Sequence, residues 1–188
     1  MEYKIVIQGT RKLAYYIKMY LKIPNKISFF AKQNQSYFMK LKKADILVEN
    51  YKPGTMDKLG YGYQDLKQKF PSLIYASCSG FGQTGPWSKK PAYDMIVQGM
   101  GGLMSVTGHE NQEPVRVGTS IGDIAAGLFT TIGILGALID RKNIGKGQSI
   151  DVSMLDCQIA ILENAIARFY ATGQSPGPGG SRHPAIAP

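Results

Sequence analysis

Four short apolar runs punctuate the chain, and longer stretches with helical periodicity separate them. Tyr3 to Ile7 alternates like a strand, while Asp45 to Val48 (DILV), Leu73 to Ser79 and Gln148 to Met154 have the make-up of short buried strands. Arg11 to Leu21 is apolar, aromatic and lysine-rich and predicts a helix stopped near Pro24. Gln35 to Lys43, Tyr63 to Lys69 (ended by Pro71) and Tyr93 to Ser105 also predict helices. The clearest helix runs from Ser120 to Lys142, where small and large apolar residues alternate and cations close the end. Leu155 to Ala171 is amphipathic, and Gly173 to Pro188, with five Gly/Pro in succession from Pro176 to Gly180, predicts a linker. Short apolar strands alternating with helices predict an α/β fold built on a parallel sheet. No internal repeat is present.

Composition narrows the class. At 188 residues and 20.6 kDa, with 44% hydrophobic residues, the chain can bury a core, so disorder is excluded as its overall class. No run of 18 uncharged apolar residues occurs, and a membrane span is not expected. Cys78 and Cys157 suit neither a disulfide framework nor a metal site, no secretory leader opens the chain, and a cytoplasmic location is expected. The formal charge of +9 is uneven: Met1 to Lys52 holds eleven Lys/Arg against three Asp/Glu. Such a basic quarter suits phosphate groups, or else a lysine-rich solvated surface. Ten of the eleven cations are lysines and no recognition motif accompanies them, so nucleic acid is not the expected partner.

Gly80-Phe81-Gly82-Gln83-Thr84-Gly85 follows a predicted strand and matches the dinucleotide fingerprint G-x-G-x-x-G by letters. The fingerprint needs a helix to start at its third glycine, and Pro86 and Pro91 around Lys89-Lys90 prevent one. These glycines are better read as letting a loop pass close to a ligand or another backbone. Asp123 opens the clearest helix, where a carboxylate is favoured as an anion and can act as a nucleophile or simply cap the helix. Asp156 sits in a similar place after Ser153, and spacing does not choose between the two. Asp94 is most simply a first-turn acid. His109 and His183 lack partners at ligand spacing, and no catalytic triad order, zinc pattern or Walker loop occurs, so no metal is expected.

Lys43 to Gly54 (KADILVENYKPG) resembles a characteristic segment of the class III coenzyme A transferases, the group of formyl-CoA and carnitine CoA-transferases and the related methylacyl-CoA racemases. Further matches follow in family order: Leu59 to Tyr63, Gly80 to Pro86, Tyr93 to Gly108, Pro114 to Arg116, Ile121 to Asp123, Gly145 to Gln148 and Arg182 to Pro184. The resemblance runs from about Asn25 to the end. It implies a Rossmann-like parallel sheet with flanking helices, a partial large domain of a CoA-transferase. By resemblance Asp123 is the nucleophile that attacks an acyl-CoA thioester and comes to carry CoA as an aspartyl thioester. The resemblance assigns CoA contacts to Lys32, Asn50, Tyr51, Lys52, Lys58, Ala92, Tyr93 and Asp94. Tyr93 stands where racemases place a catalytic His, which favours transfer over racemisation. The implied partners are an acyl-CoA and a carboxylic acid, with CoA as substrate and no permanently bound cofactor.

The departures from the family are equally specific. The family is about twice this length and forms interlocked dimers, and Met1 to Pro24 does not resemble its N-terminal strand and CoA loop. The expected organisation is a non-matching segment over 1–24, a partial large domain over 25–172 and a linker over 173–188 toward a missing small domain. A fragment is thus expected, impaired in catalysis unless a second chain supplies the remainder. The alternatives are a non-catalytic remnant, a subunit of a split enzyme, or an acyl-CoA racemase.

Overall fold

The computed structural model describes residues 3–9, 15, 27–30, 39–183 and 186. Among these, five strands form one fully parallel sheet: β1 (Ile5–Gln8), β2 (Ile27–Phe30), β3 (Ile46–Glu49), β4 (Ile74–Ser79) and β5 (Ser149–Ser153), in the order β2-β1-β3-β4-β5. The α/β fold with a parallel sheet and flanking helices is as the sequence pattern predicts. Four of the strands were expected. β2 was not, although its sequence Ile-Ser-Phe-Phe is β-prone. The helix expected over Arg11 to Leu21 falls mostly outside the described residues, as does the first half of Gln35 to Lys43, of which 39–41 is helical.

The strands read as near-continuous apolar runs because both faces of the sheet are covered. Ile5, Ile7, Ile46, Val48, Ile74, Ala76 and Cys78 point to one face, and Val6, Leu47, Leu73 and Tyr75 to the other. The second face is closed by Leu41, by Met56 from α1 (Thr55–Lys58) and by Leu66 from α2 (Tyr63–Lys69). The first is closed by α3 (Asp94–Met100), α4 (Ile121–Ile144) and α5 (Met154–Ala160), through Val97, Ala125, Ala126, Ile134, Ala137, Leu138 and Cys157.

The small residues of α4 explain its place. Ala125, Ala126, Ala137 and Thr130 let the helix lie close against β4 and β5. Its far end is tied down by Arg141, which pairs with Asp45 Oδ1 at 3.2 Å and donates to the carbonyls of Ser72 (2.9 Å) and Asp45 (3.3 Å). By length and composition alone α4 passes for a membrane-crossing helix, a test the search for uncharged runs missed because Asp123 and Asp140 bracket its apolar stretch. Half of its most apolar window is buried inside the fold, where it serves as a core helix.

The predicted helix over Leu155 to Ala171 is two helices, α5 and α6 (Glu163–Thr172). The break lets Leu162 turn inward, where its Cδ1 would lie 3.7 Å from a Cβ built at Gly102. Beyond α6 no helix or strand occurs over 173–183, and Gly180 donates a 2.9 Å hydrogen bond to the Gly108 carbonyl.

The packing predicts a contrast along α4. Ile134→Ala, at a fully buried site against the sheet, is expected to cost about 2–5 kcal/mol of unfolding free energy. Ile132→Ala, two residues away and 61% exposed, is expected to cost less than about 0.5 kcal/mol. Urea unfolding followed by circular dichroism measures both, and equal losses would contradict this placement of α4.

Candidate active site

Ligand sites in parallel α/β sheets lie beyond the C-terminal strand ends, where connecting loops diverge. A cavity of about 750 Å³ opens there. Its walls are the Asn50–Pro53 loop after β3, Cys78–Gly80 at the end of β4, the Lys90–Met95 segment leading into α3, and Met154 at the start of α5. Arg116, Asp123 and Ala126 complete it. The sequence-predicted residues Asn50, Tyr51, Lys52, Ala92, Tyr93, Asp94 and Asp123 therefore meet around one cavity, although up to 73 residues separate them. Lys58 lies on the exposed side of α1 and does not line the cavity, and Lys32 lies outside the described residues.

Asp123 is half-buried in the first turn of α4 and opens onto this space. Asp156 is exposed and away from the cavity, with Ser153 Oγ capping its backbone N–H at 3.2 Å. Of the two carboxylates that spacing left open, Asp123 is the one that lines the cavity. Asp94 faces its own neighbours: Oδ1 accepts from the Gly122 N–H (2.7 Å) and Oδ2 from Gln98 Nε2 (2.8 Å). Tyr93 lines the cavity with its side chain 80% exposed.

Of the glycines after β4, Gly80 works as a close-approach residue, as expected from the sequence. No helix starts in 80–91, and a Cβ at Gly80 would collide with the Ala92 side chain. Only glycine lets the Lys90–Ala92 segment lie against the end of β4 and form the cavity wall. The end of that loop is fixed by Asp151, whose Oδ2 accepts from Gln83 N at 2.9 Å.

Two polar residues that sequence reasoning passed over shape the Asn50–Tyr51 loop. Gln8 and Glu49 end the apolar runs of β1 and β3 and are both buried. Gln8 Nε2 donates to the Tyr51 hydroxyl (2.9 Å), and Glu49 Oε2 accepts from the Tyr51 N–H (2.8 Å). A polar residue closing an otherwise apolar strand was their only signal. Burial is the main cause that raises the Glu49 carboxyl above its ordinary 4.5, partly offset by the hydrogen bonds from Tyr51 and Ser77. Burial also pushes the Cys78 thiol up to about 12 and the Cys157 thiol up to about 11. Cys78 touches the cavity, and its burial disfavours the thiolate form. Asp94 and Asp123 are the two carboxylates in this wall.

The sequence profile of CoA-transferase family III, a group of CoA-transferring enzymes, matches residues 31–188. The chain belongs to CoA-transferase family III. Within that family it is 51% identical over 149 residues to an acetyl-CoA:oxalate CoA-transferase of Acetobacter aceti, a match that covers 79% of this chain and 38% of that protein. It is 40% identical over 148 residues to a succinate–glutarate CoA-transferase of Agrobacterium fabrum, covering 79% and 37%. The crystal structure of a CAIB/BAIF family protein from Brucella suis superposes with a TM-score of 0.85 at 31% identity, covering all of this chain and 61% of that one. The chain thus spans well under half the length of the curated transferases it matches. The family resemblance read from the sequence is borne out, while the segment before residue 31 falls outside the family match.

Glu49 gives a pH prediction. Because its carboxyl holds a proton more tightly when folded, that proton favours the folded state below about pH 4.5, and the benefit is lost as pH rises through the raised folded value. Glu49→Gln keeps an acceptor for Tyr51 N without that loss. The variant is expected to gain stability relative to the parent between pH 4 and pH 7, measured by urea unfolding at each pH. A difference independent of pH would show that Glu49 titrates normally.

Proposed function

We propose that this chain carries the CoA-transfer chemistry of its family, moving CoA from an acyl-CoA thioester to a carboxylic acid, with Asp123 as the nucleophile. The observation that carries this reading is the position of Asp123: on the first turn of α4, in the wall of the same cavity as the Asn50–Pro53 loop. The Asp123 carboxylate attacks the thioester carbonyl, the C–S bond breaks, and CoA leaves as its thiolate from a mixed anhydride. The thiolate then attacks the aspartyl carbonyl and expels the donor acid, which leaves an aspartyl-CoA thioester. The acceptor carboxylate attacks that carbonyl and releases CoA thiolate, which takes the acceptor acyl group and restores the Asp123 carboxylate. Every bond broken has an activated counterpart formed, so the exchange is close to isoenergetic and needs no added cofactor.

Lys52 and Lys90 at the cavity supply point charges for the CoA phosphates. Ala92 and Asp94 flank Tyr93 in the wall that would face the reacting group. A mixed anhydride must be shielded from water, because hydrolysis competes with transfer. The matched transferases are more than twice as long as this chain's match to them. We therefore infer that turnover by these 188 residues alone is impaired, and that supplying the remaining family sequence restores it.

Mass spectrometry after incubation with acetyl-CoA, with the remaining family sequence supplied, is expected to find a CoA adduct on the peptide carrying Asp123, absent in Asp123→Ala. An adduct on the Asp156 peptide would overturn the assignment. Lys52→Ala is expected to weaken CoA binding by about 1 kcal/mol, the worth of one partly exposed charge contact, while Lys58→Ala on exposed α1 changes it by less. Isothermal titration with CoA measures both, and the reverse ranking would place the phosphates along α1 instead.

A further inference from the structure

The nucleophile's helix lacks a cap of its own. Ser120, at the N-cap of α4, makes no side-chain capping bond, so the first-turn N–H groups need other partners. One comes from across the fold: Asp94 Oδ1 takes the Gly122 N–H, the residue before Asp123, at 2.7 Å. Gly122 must be glycine for this, because a Cβ there would lie 2.9 Å from Asp94 Oδ1 and 2.8 Å from Val97 Cγ2. Behind Asp94 stands Gln98, 0% exposed. Its Nε2 donates to Asp94 Oδ2 (2.8 Å) and, at 3.4 Å, to the Thr119 carbonyl, and its Oε1 accepts from the Val117 N–H (2.8 Å). One buried carboxamide thus joins α3, the loop entering α4 and, through Asp94, the first turn of α4.

We propose that Gln98 is a positioning residue for Asp123: with Asp94 it forms a cap, supplied by α3, that holds the turn carrying the nucleophile against the cavity. This rests on reading Asp123 as the reacting carboxylate. The polarity of the chain is directional. Gln98→Glu sets a carboxylate oxygen against Asp94 Oδ2 and the Thr119 carbonyl with no proton between them, and Asp94→Asn sets two amide groups face to face. The double variant Asp94→Asn/Gln98→Glu restores the short links: the Asn amide donates to the Glu oxygen, Val117 and Gly122 keep their acceptors, and only the long 3.4 Å bond to the Thr119 carbonyl is lost. Net charge is the same as in the parent, so a failure of rescue is not a charge effect.

Two measurements test this, the first on the 188-residue chain and the second with the remaining family sequence supplied. Amide hydrogen exchange over residues 117–124 is expected to rise at least about tenfold in each single variant, the effect of one unmade buried hydrogen bond, and to return to within about threefold of the parent in the double variant. Exchange over residues 134–142 stays unchanged. In parallel, the maximal rate of CoA adduct formation on Asp123 from acetyl-CoA falls at least about tenfold in the singles and recovers in the double, and in Gln98→Glu, whose site lies outside the cavity wall, the half-saturating concentration is unchanged. Unchanged exchange in the singles, or a double no better than either, overturns the cap. Restored exchange without restored labelling overturns the positioning role. If the parent forms no adduct even with the remaining family sequence supplied, the transfer chemistry fails, while the cap still stands or falls on hydrogen exchange.

Discussion

How α4 is held across the sheet determines what the rest of the structure can do. The helix spans about 27 Å from Asp123 to Arg141 at 1.5 Å per residue, and each end is fastened by a charged side chain. Arg141 ties the C-terminal end to Asp45 and Ser72, at the entry to β3 and β4, where the negative end of the helix dipole favours a cation. Asp94 ties the N-terminal end at the opposite edge of the sheet, where that dipole favours an anion. Between these ends the buried alanines and threonines bring the helix close enough to exclude water from the strands. With both ends fixed, Asp123 has one place to be: over the C-terminal strand ends, beside the loops that leave them.

That edge also gathers the polar residues the core could not otherwise hold. Gln8, Glu49, Ser77 and Ser79 all end or nearly end strands and are buried. Elsewhere in a parallel sheet such groups would cost free energy, since an unpaired buried polar atom loses its water without compensation. Two of them hold a loop. Glu49 and Gln8 clamp Tyr51, and a buried acid is kept because the loop it fixes forms a cavity wall. Stability and site construction pull against each other at this one position, and the raised Glu49 value records the tension.

Much of the architecture was legible in advance. Strand runs at β1, β3, β4 and β5, the long helix with its cationic end, and the α/β class followed from periodicity, because side-chain alternation and helical spacing are local properties of a chain. The motifs carried the family, and the prolines after Gly82 correctly argued against a dinucleotide loop. The errors were also local in origin. The amphipathic pattern of 155–171 concealed the break at Leu162, since that break serves a packing contact with the Gly102 region and not a propensity. Ile27–Phe30 was missed because four residues carry too little periodicity to stand out.

The sequence by itself determined which residues form strands and helices, that a carboxylate opens the longest helix, and that the segments from Lys43 onward belong to a CoA-transferring family. Only the tertiary structure decided which carboxylate faces the cavity. Asp123 and Asp156 have near-identical local settings, each in a helix first turn after a serine, and no short-range pattern separates them. What separates them is which helix end meets the diverging loops, a consequence of sheet order and of α4 being fastened at both ends. The same holds for Gln98. In sequence it is one polar residue in a short helix, and its role exists only because folding brings Asp94, Val117 and Thr119 around a single buried amide. Hydrogen bonds between residues 19 and 21 positions apart are invisible to periodicity, because the backbone between them, not its local pattern, sets the distance.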